Sequence, residues 1–140
     1  MRYTLVPLFI LLSAVLTQAQ RGPCTESAVK QGKIPLADDA FEYMPPYGKP
    51  VVGKSAMHAA NTKSFSGRTN IKSSWVGDHR IVSSPSGDMA YEYGTLDMSY
   101  EESGQHHEFK AVILDVYKAK DGVCQKAAGT MQPLDEPSGH

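Results

Sequence analysis

The chain is poor in several things, and each scarcity closes off a kind of function. Two cysteines in 140 residues, Cys24 and Cys124, allow one disulfide at most. No excess of positive charge exists: 14 Lys+Arg stand against 15 Asp+Glu, a formal net charge of -1, so there is no basic field to grip phosphates, and nucleic acid is not an expected partner. A Gly-rich phosphate loop and a Gly-x-Ser-x-Gly elbow are both missing, which removes nucleotide enzymes and the common serine hydrolases. Neither Asn61 nor Asn70 begins a glycosylation sequon. The five histidines have no His-x-His or Glu-x-x-His spacing. His106 and His107 are neighbours whose rings point to opposite sides of a strand, and His58, His79 and His140 are scattered, so no metal site and no cofactor is expected. Repeats, linkers and low-complexity tracts are also absent.

Only one long apolar run occurs, Leu5 to Leu16, preceded by Arg2 and followed by Thr17-Gln18-Ala19. It is too short for a membrane span of about 20 residues and reads as a signal peptide over 1–19, cut after Ala19. Removing it takes away one cation, Arg2, and leaves a net charge of -2. The expected product is an exported protein, periplasmic or secreted, with no membrane segment after cleavage.

What remains is about 120 residues, a size that buries roughly two thirds of its unfolded surface in one core. Residues 20–33 form a polar lead with a short helical stretch between Thr25 and Gln31. The packed domain is expected over 34–132 and a tail over 133–140. Pro35 to Asp39 suits one helical turn, Phe41 to Met44 a short strand, and Pro45-Pro46-Tyr47-Gly48 a break. Ala56, Met57, Ala60 and Phe65 space out a helix over 54–65 that Gly67 stops. Then come four strands, Ile71–Ser83, Met89–Tyr100, His107–Lys118 and Val123–Met131, separated by turns at 84–88, 101–104 and 120–122. Small helices followed by long antiparallel strands predict an α+β domain whose curved sheet covers the helices.

The segments Leu36-Ala37-Asp38-Asp39-Ala40-Phe41, Met44-Pro45-Pro46, Val51-Val52-Gly53-Lys54, Ser86-Gly87-Asp88-Met89-Ala90-Tyr91, Gly94, Val116-Tyr117-Lys118 and Asp121-Gly122 resemble the SnoaL-like, DUF4440 branch of the NTF2-like superfamily over about 34–132. The resemblance implies an NTF2-like cone: about four long antiparallel strands, bent around one or two helices, with a pocket at the wide end and a homodimer through the sheet. Relatives include ketosteroid isomerases, polyketide cyclases, dehydratases and binding or assembly domains. The chain departs from the pattern in three places. The N-terminal roof helix is shortened to residues 24–33, Cys124 stands where a tryptophan usually follows the last turn, and Gly129 stands where many relatives carry an acid.

Period two places Tyr91, Tyr93, Thr95 and Asp97 on one face of their strand, and Ala90, Glu92, Gly94 and Leu96 on the other. On the next strand His107, Phe109, Ala111, Ile113, Asp115 and Tyr117 share a face. An acid–base site would use Asp115 as the base in its apolar run, with Tyr93 and Tyr117 donating to a developing oxyanion. Tyr91, Tyr93, Asp97, His107 and Ile113 are the ligand-binding candidates. The bland account makes Asp115 a solvated carboxylate or the partner of Lys110 or Lys118, and Trp75 and Phe41 plain core. Cys24 and Cys124 are open to a bridge or to two free thiols.

Two functions follow. One is a module binding a small, largely apolar molecule or a protein; the other is a cofactor-independent isomerase, cyclase or dehydratase acting on a carbonyl-bearing apolar substrate. A carboxylate buried in the cone beside a phenol, with its pKa raised, separates them in favour of the second.

Overall fold

In chain order the elements are α1 (Glu26–Lys30), β1 (Leu36–Tyr43), β2 (Val51–Val52), α2 (Lys54–Phe65), β3 (Arg68–Ser83), β4 (Met89–Glu102), β5 (Gln105–Lys120) and β6 (Val123–Pro133). The computed structural model describes residues 22–43 and 49–134; the expected signal peptide, the 45–48 break and most of the expected tail lie outside these. The six strands form one sheet in the order β2-β1-β6-β5-β4-β3, antiparallel except for β1 beside β6.

Turn chemistry sets the register of the long strands. Ser103 and Gly104 both have positive φ (54° and 77°), as do Asp121 and Gly122 (52° and 75°), the backbone of the tight two-residue turns that match the twist of antiparallel strands. The first pairs Glu102 with Gln105 and carries on unbroken to Met89 opposite Lys118. Between β3 and β4, Asp88 accepts hydrogen bonds from Ser84 and Ser86.

The expected helical turn at 35–39 is corrected: Leu36–Tyr43 is a strand, because Leu36 pairs with Lys126 and Phe41 with Ala128, and sheet pairing overrides the local proline signal. The helix over 54–65 forms as expected and the N-terminal helix is reduced to five residues. Thr25 caps α1 by accepting the Ala28 N–H at 3.2 Å, and Glu26 pairs with Lys30 at 2.7 Å. Cys24 and Cys124 are bonded, so the free-thiol alternative is corrected too. The bond takes the place of the expected tryptophan and fastens α1 to the sheet.

Both helices lie over the same face. Val29 and the disulfide pack on Ala90 and Tyr117, while Met57 of α2 packs on Ala37 and Ala40 of β1. Among the described residues nothing covers the opposite face: Phe41, Tyr43, Val82, Tyr91, Tyr93 and Leu114 are each about 40% exposed there. Phe41 is thus outer surface rather than core.

Candidate functional site

Between the two apolar clusters the inner face of the sheet is polar. The unbroken β4–β5 register puts Glu92 opposite Asp115 and Ala90 opposite Tyr117, so all four side chains point inward with the helices. Tyr117 Oη donates to Glu92 Oε2 at 2.7 Å, and the other carboxylate oxygen, Oε1, lies 2.8 Å from His79 Nε2. Glu92 therefore holds a phenol and an imidazole together.

His79 reaches this place through an irregularity in β3. Val76 pairs with Thr95 and Arg80 with Tyr93, so three residues of β3, Gly77 to His79, stand opposite Gly94 alone, and Gly77 takes a positive φ of 69° to let the chain bulge. The bulge brings Trp75 and His79 over the same spot, their rings stacked 3.9 Å apart at 6°. Gly94 lies beneath them: a Cβ there would come within 3.1 Å of His79 Cα and of the Trp75 ring. Trp75 is thus the packing surface of the histidine.

A second irregularity builds the other half. Tyr117 pairs with Lys126, yet Val116 pairs with Ala128, so β6 carries one extra residue at Ala127. Lys126 and Gly129, three apart and normally on opposite faces, both turn inward. The Lys126 ammonium lies 2.8 Å from Asp115 Oδ1 and 3.2 Å from Glu42 Oε1. It donates to Glu42. Toward Asp115 the contact is one of charge, because Oδ1 is buried without an aligned hydrogen-bond donor among the described residues.

The charges of this face are displaced from their ordinary behaviour. Burial raises the Asp115 pKa, and Lys126 opposes the rise without cancelling it, while Glu42 and Glu92 add to it. Burial works against the Lys126 ammonium, but Asp115 and Glu42 outweigh it and keep the amine protonated above the usual lysine range. The two shifts disagree about the pair: one favours the ionised contact and the other disfavours it. Lys126 faces two carboxylates, whereas Asp115 faces one ammonium and two like charges. The ammonium is therefore the fixed charge, and Asp115 is a carboxylate whose ionisation burial opposes. Burial, followed by Glu92, raises the Tyr117 phenol far above its ordinary value, so it is a donor at every physiological pH.

Of the sequence candidates, Asp115, Tyr117, Ile113 and His107 lie on this inner face, His107 at its far end stacked on Tyr100 with ring centroids 5.0 Å apart. Tyr91, Tyr93 and Asp97 do not. They lie on the outer face, Tyr93 opposite Leu114 and Asp97 opposite Lys110, so Tyr93 cannot serve Asp115 as an oxyanion donor. The partner of Asp115 is Lys126, because Lys110 and Lys118 face outward. His79, Glu92, Lys126 and Glu42 escaped the sequence reading. Glu92 is accessible from the Ser103-Gly104 turn, which fixes its pairing with Asp115; the pairing of His79 with Glu92 and the face of Lys126 depend on bulges that leave no signal in the sequence.

A depression of about 730 Å³ between α1 and the β3–β4 turn, lined by Glu26, Lys30, Ser84 and Pro85, contains none of these groups. Among the described residues no cluster of His, Cys, Asp and Glu could hold a metal, and no helix is long and apolar enough to cross a membrane.

No protein-family model matches the chain, and no curated protein matches it. Solved structures do. A ketosteroid isomerase-like protein from Erwinia carotovora atroseptica superposes with a TM-score of 0.60 at 15% identity, over 79% of this chain and 88% of that one. An uncharacterized protein with a cystatin-like fold from Caulobacter vibrioides gives 0.59 at 14%, over 76% and 75%. An NTF2-like protein from Cytophaga hutchinsonii gives 0.53 at 21%, over 76% and 82%. The chain has the NTF2-like fold, an α+β cone with an unclosed, mostly antiparallel sheet. Likeness at these identities is one of fold, and what the face does rests on its own residues.

Proposed function

We propose that the inner face is a proton-transfer site for a small carbonyl-bearing molecule, in the class of cofactor-independent isomerases, cyclases and dehydratases. The observation that carries this reading is the Tyr117–Glu92–His79 chain set across the sheet from a Lys126 ammonium that stays charged. If Glu92 accepts from His79 Nε2–H, the free ring nitrogen is Nδ1, which has no hydrogen-bond partner among the described residues and is the base. Nδ1 takes a proton from the carbon next to the carbonyl. The C–H electron pair moves into a C=C bond, the carbonyl oxygen becomes the enolate oxygen, and Lys126 stabilises it as a fixed charge. The imidazolium then returns the proton to a different carbon. Because Lys126 stays protonated, it serves as an electrostatic group and not as a Schiff-base nucleophile.

The expectation of a largely apolar ligand gives way to a more polar one, because the charged centre of the inner face lies between two apolar clusters, one around Tyr117 and one around Met57. Three carboxylates, Glu42, Glu92 and Asp115, face one lysine there, which favours a neutral polar ligand over a carboxylate or phosphate. Two further parts of the reading have their own support. The disulfide fits an exported protein, and the bare sheet face offers a surface to a second copy of the chain.

The test is exchange of α-protons for deuterium in a panel of cyclic ketones and enones, followed by proton NMR with the purified protein. Acceleration that falls by about 10²-fold to 10⁴-fold in His79→Ala, the usual worth of a general base, supports the reading. Saturable binding of the same compounds without any acceleration makes the domain a binding module instead.

A further inference from the structure

The inner face holds a glycine whose backbone does not call for one. Gly129 is not among the residues of positive φ, so its conformation is open to any amino acid. Space is what excludes a side chain. A Cβ at 129 would come within 2.6 Å of Asp115 Oδ1, 2.9 Å of Lys126 Cε and 3.0 Å of Lys126 Nζ. Positions 115 and 129 are cross-strand partners, and the carboxylate of Asp115 with the end of Lys126 fills the volume that a side chain at 129 would take.

We propose that Gly129 is the positioning residue of the Lys126 ammonium. The extra residue at Ala127 turns Lys126 inward, and the missing side chain at 129 lets its chain lie flat across β6 until the nitrogen meets Asp115. Every atom that a Cβ at 129 would displace is the far end of a flexible side chain, so Gly129→Ala folds and the ion pair moves instead. The inference rests on Lys126 being the fixed charge of the proposed site, and its test needs neither substrate nor turnover.

That test is competitive acylation of the folded, disulfide-bonded protein with acetic anhydride at pH 8, read by mass spectrometry as the rate at Lys126 relative to exposed Lys120. Wild type should protect Lys126. Gly129→Ala should raise its relative rate at least about tenfold, the factor that one pKa unit represents, with circular dichroism unchanged. The exchanged pair Asp115→Gly with Gly129→Asp returns a carboxylate to the shared volume and should restore protection. Thr130→Ala, next to Gly129 in β6 but opposite Leu114 on the outer face, should leave the rate alone. Protection unchanged in Gly129→Ala, or lost equally in Thr130→Ala, overturns the proposal whether or not α-proton exchange is ever seen.

Discussion

The Tyr117 hydroxyl donates to Glu92 across 2.7 Å, between adjacent strands and beneath α1. Tyr117→Phe leaves Glu92 with His79 alone and is expected to cost about 1.5–3 kcal/mol, the range for a hydrogen bond to a charged group, measured by urea unfolding at pH 7. The pH dependence has a definite sign. The folded state raises the phenol pKa above its unfolded value of about 10, so this stabilisation is complete below about pH 10 and is lost as pH rises beyond it. Wild type should therefore weaken above pH 10 more steeply than Tyr117→Phe. Equal slopes would place the phenol outside the buried chain.

Lys126→Met removes the only positive charge that faces Asp115 and Glu42 among the described residues. Breaking a buried pair from one side costs about 3–5 kcal/mol, because the other charge is left uncompensated. Asp115 already has a raised pKa through burial, and without the ammonium it rises further. The penalty should thus be largest at neutral pH and should shrink as pH falls through the carboxylate range and Asp115 takes up its proton. Denaturant midpoints between pH 4 and 8 measure this, and a penalty independent of pH would argue against Asp115 as the group that titrates.

The Cys24–Cys124 bond closes a separation of 100 residues and packs directly on Tyr117 and Ala90. In the chain-entropy account such a loop is worth about 4.7 kcal/mol. The double variant Cys24→Ser with Cys124→Ser should lose about 2–5 kcal/mol by the same measurement, and wild type in dithiothreitol should match it. A loss also seen at Tyr117, as faster hydrogen exchange of β5 amides near it, would connect the bond to the site.

Across the sheet from the site, Leu114 is 41% exposed beside Tyr93. If a second copy covers this face, light scattering should give the mass of two chains for wild type and of one chain for Leu114→Glu, with the inner-face acylation pattern unchanged. A monomeric wild type would leave that face without a partner of its own kind.

Much of the frame is written in local sequence. Ser103-Gly104 and Asp121-Gly122 are turn signals because few other residues tolerate positive φ at both positions, and they fix where β4, β5 and β6 begin and end. Alternation then sorts each strand into two faces. It cannot say which face is inside: choosing Tyr93 as a companion of Asp115 fails because Tyr93 lies opposite Leu114, and a shift of one residue exchanges every side chain. Pro35-Leu36-Ala37-Asp38-Asp39 reads as a helical turn for a related reason, since its pairing with β6 joins residues about ninety positions apart.

By itself the sequence determined the α+β class, the long hairpins and the sharing of one strand face by Asp115 and Tyr117, because turns and period-two patterns are short-range properties. Only the tertiary structure decided that His79 stacks on Trp75 and reaches Glu92, that Lys126 meets Asp115 over Gly129, and that Cys24 joins Cys124. The reason is physical. At Ala127 a single added residue breaks the alternation, so the face of Lys126 is set by its neighbour in space and not by its neighbour in the chain, whereas the two residues added between Val76 and Arg80 keep the faces of β3 and shift which residue of β4 His79 meets.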